Sequence, residues 1–288
     1  MNRDFTLCNI SSDINGYQQL INLQNTILPL SFEEVPIKIC TWFDANLAAP
    51  LGGILDYAES KGNTVRIDSL DESVKAILQK NGFLAHFGYP QISDTHLTTI
   101  KYLKLKPTDT RYFHLYILND LLQRPELPAL GSTLKRKIAE SIYEIFVNAQ
   151  IHSKTSFIYT CGQFYPQKNE LIFTICDTGI GFKETIQNRF NKKVSAKQAI
   201  LWAITDGHTT KVDISGGIGL AILKDFIVQN KGTFQIISND GFYELSNGNE
   251  KYTSFSGDIH GSIVTMKINT NDTTQYDIPA ETDIFDIF

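Results

Sequence analysis

Sulfur and tryptophan are scarce in this chain, with four cysteines, two methionines and two tryptophans among 288 residues. Cys8, Cys40, Cys161 and Cys176 are widely spaced and form no CxxC pair, which excludes a disulfide scaffold. Cys40, Cys161 and Cys176 lie in apolar, strand-like stretches. They read as small buried hydrophobes in a reducing compartment, so the cytoplasm is the expected location. No apolar run reaches the ~18 residues of a membrane span. The opening MNRDFTLCNI lacks the cationic start and apolar stretch of a signal peptide. An excess of positive charge is also missing, with 26 Lys and Arg against 31 Asp and Glu. Five of those acids (Asp272, Asp277, Glu281, Asp283 and Asp286) follow Asn269, beyond which no base occurs, so the body is neutral at 26 of each sign. A neutral body lacks the clustered basic face of a nucleic-acid binder. Internal repeats and low-complexity stretches are absent. A composition of 42% hydrophobic and 20% charged residues suits one large or two ordinary domains with a real core.

The first hundred residues read as alternating elements: a strand at 35–43 (VPIKICTWF), a helix at 46–61 stopped by Gly62, a strand at 64–70 and a helix at 71–81. Asp71 and Glu72 sit at the positive start of that last helix and Gly82 at its end. Such alternation predicts a small α/β unit. The stretch from Tyr89 to Asp109, with two prolines and several Thr and Ser, is the expected domain boundary. Helices are then predicted over 111–123 and 133–151, the latter with Leu134, Ile138, Ile142, Ile145 and Ala149 on one stripe. A hairpin over 156–165 and 170–176 follows, then helices at 195–204 and 218–230. Strands at 233–238 and 242–245, joined by Asn239–Asp240–Gly241, and at 262–269 complete the pattern. Helices grouped around a mostly antiparallel sheet predict an α+β sandwich.

Three segments of the second half carry polar residues that a plain core does not need. Glu144 and Asn148 stand four apart on one helix face, with His152 a turn further. A carboxylate there can polarise a water, and an amide oxygen can ligate a divalent cation. Asp177 ends the apolar strand ELIFTIC and is followed by Gly179 and Gly181, which let backbone approach a flat ring. Ser215–Gly216–Gly217–Ile218–Gly219 opens a helix whose free N–H groups and dipole favour an anion. Taken singly, these are a solvated helix face, a common turn and a glycine-rich turn.

As an ordered set, EIFVNAQIH, CDTGIGF, SGGIGLAI and HGSIVTM resemble the nucleotide site of the GHKL (histidine-kinase-like) ATPase superfamily over roughly residues 105–270. The resemblance implies an ATP-binding α/β sandwich of the Bergerat type over 101–270. Asn148 would coordinate Mg²⁺ bridging the phosphates, Asp177 would read the adenine amino group, and Gly179 and Gly181 would shape the base pocket. Gly217 and Gly219 would hold phosphate, and the loop 205–215 would be a lid with Lys211 as its cation. Ser262 stands where the family usually has a threonine near adenine, with Thr265 as a possible substitute. Glu144 matches the general base of members that hydrolyse or transfer phosphate.

None of the six histidines is followed by Glu, so the phosphoacceptor pattern of an orthodox histidine kinase is missing. The segment EIFVNAQIHS is closest to anti-sigma serine kinases. Residues 1–100 look like a STAS-like module, but Ala45 follows Asp44 where an acceptor Ser is expected, which points to docking or dimerisation instead. The implied function is a Mg²⁺-ATP-dependent regulatory switch that hydrolyses ATP or phosphorylates a Ser/Thr of a protein partner. The alternative is an ATP-sensing module without turnover. The superfamily often dimerises, although no coiled-coil heptads occur here. The tail 271–288 alternates acids with Ile and Phe, as a docking peptide or a segment packed on its own domain would.

Overall fold

The computed structural model describes residues 5–205 and 219–276. The chain opens with β1 (Thr6–Ile10) and α1 (Ile14–Ile27), continues with β2 (Glu34–Phe43), α2 (Ala48–Ser60) and β3 (Thr64–Leu70), and ends its first unit with α3 (Glu72–Lys80). The three strands are parallel in the order β1-β2-β3. Asp13 caps α1 by accepting the N–H groups of Asn15 and Gly16, and Asp71 caps α3 through Ser73 N–H. β1 and α1 were not anticipated. β1 is only five residues long, and α1 is rich in Asn and Gln, although Tyr17, Leu20, Ile21, Gln24 and Ile27 form its buried stripe.

The second unit adds β4 (Thr99–Leu105), α4 (Thr110–Tyr116) with a π-helical turn over Ile117–Leu121, α5 (Ser132–His152), and the hairpin β5 (Ile158–Tyr165) and β6 (Glu170–Asp177). α6 (Gly181–Phe190), α7 (Ala196–Ile204), α8 (Gly219–Gln229), β7 (Thr233–Ser246) and β8 (Asn249–Asn269) follow. The sheet is antiparallel in the order β4-β5-β6-β8-β7. The protein is thus α+β, with a parallel three-stranded unit followed by an antiparallel five-stranded one. β4 lies inside the stretch expected to link the two.

Asn239–Asp240–Gly241 is not the turn it was expected to be. β7 and β8 form one long hairpin that turns at Asn247–Gly248, both at positive φ (48° and 76°) as a tight two-residue connection requires. Asn239, at φ 54°, is a bulge instead. The register shifts there, with the additional residues in β8, and the alternation of β7 flips: Phe234 and Ile236 face the helices before Asn239, and Tyr243 and Leu245 do so after it.

Both faces of the five-stranded sheet are buried. Leu171, Phe173, Ile175, Val264, Met266 and Ile268 face α5 and α8. Cys161, Cys176, Ile237, Ile259 and Ile263 join the core of the first unit, beneath α1 and α2. That second contact also carries a buried polar seam. Tyr17 Oη donates to Gln235 Oε1 (3.0 Å) and is hydrogen-bonded to Thr265 Oγ1 (2.9 Å). Thr265 Oγ1 lies 2.8 Å from Thr174 Oγ1, to which Asn46 Nδ2 donates (2.9 Å).

Cys161 and Cys176 are free and buried. Cys8 and Cys40 correct the expectation of four reduced thiols: they face each other across β1 and β2, with Cα atoms 4.8 Å apart, and form a disulfide. Among the described residues, no helix is long and apolar enough to cross a membrane. The start of the acidic tail packs on its own unit, where Tyr276 bridges to Leu130 and meets the ring of Phe226. Residues 277–288 lie outside the described part.

Candidate functional site

On the helix-covered face of the five-stranded sheet, a cleft encloses about 850 Å³ of empty space, part of it open to solvent. Its floor is the end of β6 beside β8, where Asp177 and Ser262 are paired in register. Ser262 Oγ–H donates to Asp177 Oδ2 at 2.5 Å, and Gly179 N–H donates to Oδ1 at 2.8 Å. Asp177 is only 5% exposed. Burial pushes its carboxyl above the ordinary carboxylate range, against the opposing pull of hydrogen bonds from Ser262, Gly179 and Ser153. A buried acceptor with lone pairs left over suits an N–H donor on a ligand. The walls are mostly apolar, with Ile145, Ala149, Phe182, Ile186, Leu220 and Val264 among the lining residues.

Glu144 and Asn148 line the same cleft, one turn apart and half-buried on α5. The stripe of Leu134, Ile138, Ile142, Ile145 and Ala149 on the core side of α5 determines which of its residues face the cleft. Gly219 is the first residue of α8, and its neighbour Leu220 lines the cleft, so the N-terminal end of that helix borders it.

The two glycines after Asp177 have different tasks. A Cβ on Gly179 would lie 1.9 Å from the carbonyl oxygen of Ser153 at the end of α5, where Ile180 N–H donates at 2.9 Å. Gly181 has φ +73° and lines the cleft as α6 begins. α6 was unforeseen because its first residue belongs to a glycine motif read as a loop. Its start is satisfied by the β7 bulge, with Phe182 N–H donating to Ser238 Oγ (2.9 Å) and Lys183 N–H to Asn239 Oδ1 (3.3 Å).

Of the expected residues, Glu144, Asn148, Asp177, Gly181 and Ser262 meet at one cleft, Gly179 braces its floor and Gly219 opens the bordering helix. Thr265 is a correction. It lies fully buried on the opposite face, bonded to Tyr17 and Thr174, because three steps along a strand from Ser262 reverse the side-chain direction. His152 ends α5, with its side chain outside the described part, as are Lys211, Gly217 and all of 206–218. Two contributors were missed. Gly261, at φ +80°, would place a Cβ 2.0 Å from the Asp177 carbonyl oxygen, so its place in HGSIVTM is what lets β8 close on β6. Trp202 of α7 lines the cleft and meets Phe190 edge-on at 5.5 Å.

Among the described residues no group of three or more His, Cys, Asp or Glu could hold a metal by itself. The donors present, one amide oxygen and one carboxylate, suit Mg²⁺ that takes its other ligands from water and phosphate. Comparison with protein-family models and with characterised proteins finds no match.

Proposed function

We propose that this cleft binds Mg²⁺-ATP and that the chain is a GHKL-type nucleotide-dependent switch acting on a protein partner. The observation that carries the reading is the buried Asp177–Ser262 pair at the floor of an apolar cleft that also holds Glu144 and Asn148. Asp177 accepts the exocyclic amine of the base, and the apolar walls take its faces. Asn148 would hold Mg²⁺, which when bound neutralises phosphate charge. The N-terminal end of α8 favours the phosphates through its free N–H groups and dipole. Glu144 takes the proton of the attacking water, or of a Ser/Thr hydroxyl on the partner. A pure sensor has no use for that carboxylate, which favours turnover over sensing alone.

The first unit is a STAS-like docking module in this reading. Its Asp44 is unsuited to support an acceptor: it is 2% exposed, takes hydrogen bonds from Ser12 N–H (2.7 Å) and Trp42 Nε1–H (2.8 Å), and is followed by Ala45. The cytoplasm remains the proposed location because ATP is there. The Cys8–Cys40 disulfide is unusual for that compartment, and alkylation of thiols at the moment of cell lysis would settle which form the cell holds.

The test is calorimetric titration of the full chain with Mg²⁺-ATP, together with phosphate release. Saturable binding with turnover supports an ATPase cycle. Binding without turnover leaves a sensor or a kinase awaiting its partner, and a folded protein that does not bind ATP overturns the reading.

A further inference from the structure

The Asp177–Ser262 pair is backed from the far side of the sheet by the first unit. α2 is rich in small residues, and Ala48, Ala49, Gly52 and Gly53 are all buried. Glycine inside a helix costs about 1 kcal/mol relative to alanine, so a close approach has to require it. A Cβ on Gly53 would lie 2.6 Å from Thr178 Cγ2 and 3.3 Å from the ring of Tyr159. Thr178 is the residue between Asp177 and Gly179. Its N–H donates to Thr155 Oγ1 (3.2 Å), and the two hydroxyls lie 3.2 Å apart.

One turn further along α2, Tyr57 stands edge-on to His260 with ring centroids 5.4 Å apart. α1 holds the same segment of β8 through Gln24, whose Oε1 accepts His260 N–H (3.1 Å) and whose amide donates to the Asp258 carbonyl (3.0 Å). His260 leads directly into Gly261 and Ser262. Helices of the first unit therefore touch both arms of the pair, one at Thr178 and the other at His260.

We infer that Gly53, Tyr57 and Gln24 are positioning residues for base recognition, so the first unit is a structural part of the nucleotide pocket. The inference rests on the reading that Asp177 accepts the amine of the base. Groups that orient a binding residue from behind determine how well it holds its geometry, and a 1 Å displacement of a recognition group can cost up to about 100-fold.

The experiment measures ATP affinity of the full chain carrying Gly53→Ala, Thr178→Ser or both, with thermal melts alongside. Gly53→Ala is expected to raise the Kd for Mg²⁺-ATP about 10- to 100-fold with little change in Tm. Thr178→Ser, which removes the methyl that a residue-53 Cβ would strike, is expected to bind almost normally and to restore the double variant. A merely structural role for Gly53 would lower Tm along with affinity in the single variant. If Gly53→Ala binds ATP like wild type, or if the double variant stays as weak as the single, the inference is overturned. Should Gly53→Ala fail to fold, Tyr57→Leu decides: weaker ATP binding at unchanged Tm supports the inference and unchanged binding overturns it. A wild-type chain that does not bind ATP refutes the reading of the cleft itself, before any variant is compared.

Discussion

Replacing Asp177 by Asn separates the requirements of the fold from those of the ligand. The two side chains have the same shape, and the structure determines how the amide must sit. Gly179 N–H needs an acceptor, so Oδ1 stays where it is, and the amide nitrogen takes the place of Oδ2 opposite Ser262 Oγ. Ser262 can turn its hydroxyl and accept, so the amide keeps a partner, although the hydroxyl proton gives up its carboxylate acceptor. The ligand does lose one. An exocyclic amine that met a carboxylate lone pair now meets an N–H, removing a hydrogen bond to a charged group worth about 1.5–3 kcal/mol, or roughly 10- to 150-fold in Kd. Stability moves the other way. Burial raises the Asp177 pKa above its unfolded value, so the unliganded fold is favoured by its protonated form. That contribution is complete below the ordinary carboxylate pKa of about 4 and is lost as pH rises through the raised one. The Asn variant carries no such loss, so its Tm relative to wild type is expected to climb between pH 4 and neutrality. ATP titration at pH 7 and thermal melts across that range test both halves. An Asn variant that binds ATP as tightly as wild type would refute the assignment of Asp177 as the reader of the base.

Glu144→Ala is expected to abolish phosphate release while leaving ATP binding nearly unchanged, measured by a coupled phosphate assay and by titration; loss of both together would remove its assignment as general base. Tyr17→Phe deletes a fully buried hydroxyl and takes the donor from Gln235 Oε1, while Thr265 Oγ1 keeps only its bond to Thr174. At about 1–3 kcal/mol, and with an unfolding entropy of roughly 0.6 kcal/mol/K for a chain of this size, Tm should fall by ~2–5 °C. A single, undivided melting transition should accompany that fall, because the two units share a core. Reducing Cys8–Cys40, whose partners are 32 residues apart in sequence, should lower stability by about 2–4 kcal/mol. Thiol titration of the unfolded chain should find two reactive thiols before reduction and four after.

Hydrophobic period made most of the helices and the β5–β6 hairpin legible, because a stripe on α5 and an apolar run such as ELIFTIC have few alternative readings. That run also held a signal of burial on both sides, since a strand with one wet face alternates with polar residues. Turn chemistry was harder to read. Asn239–Asp240–Gly241 and Asn247–Gly248 are both good turn sequences, and only the pairing partner decides which one turns and which one bulges. In the site, spacing along α5 joined Glu144 to Asn148, and motif order brought them to Asp177 and Ser262. Thr265 went astray although strand alternation alone separates it from Ser262. Nothing local to α2 announced that Gly53 would touch Thr178, because that contact depends on which layer covers the sheet.

The seam between Tyr17 and Thr265 has a consequence for the order of events during synthesis. Its partners are separated by 248 residues, and at 5–20 residues per second a ribosome needs roughly 12–50 s to make the second after the first. For that interval α2 can already pack on β5 and β6, but the face of α1 that packs on β8 has nothing to cover, because β8 is the last of the described strands to be made and forms the middle of the seam. α1 must wait with that face open until the strand that carries Ser262 arrives, so completion of the cleft floor and closure of the seam between the two units are the same event.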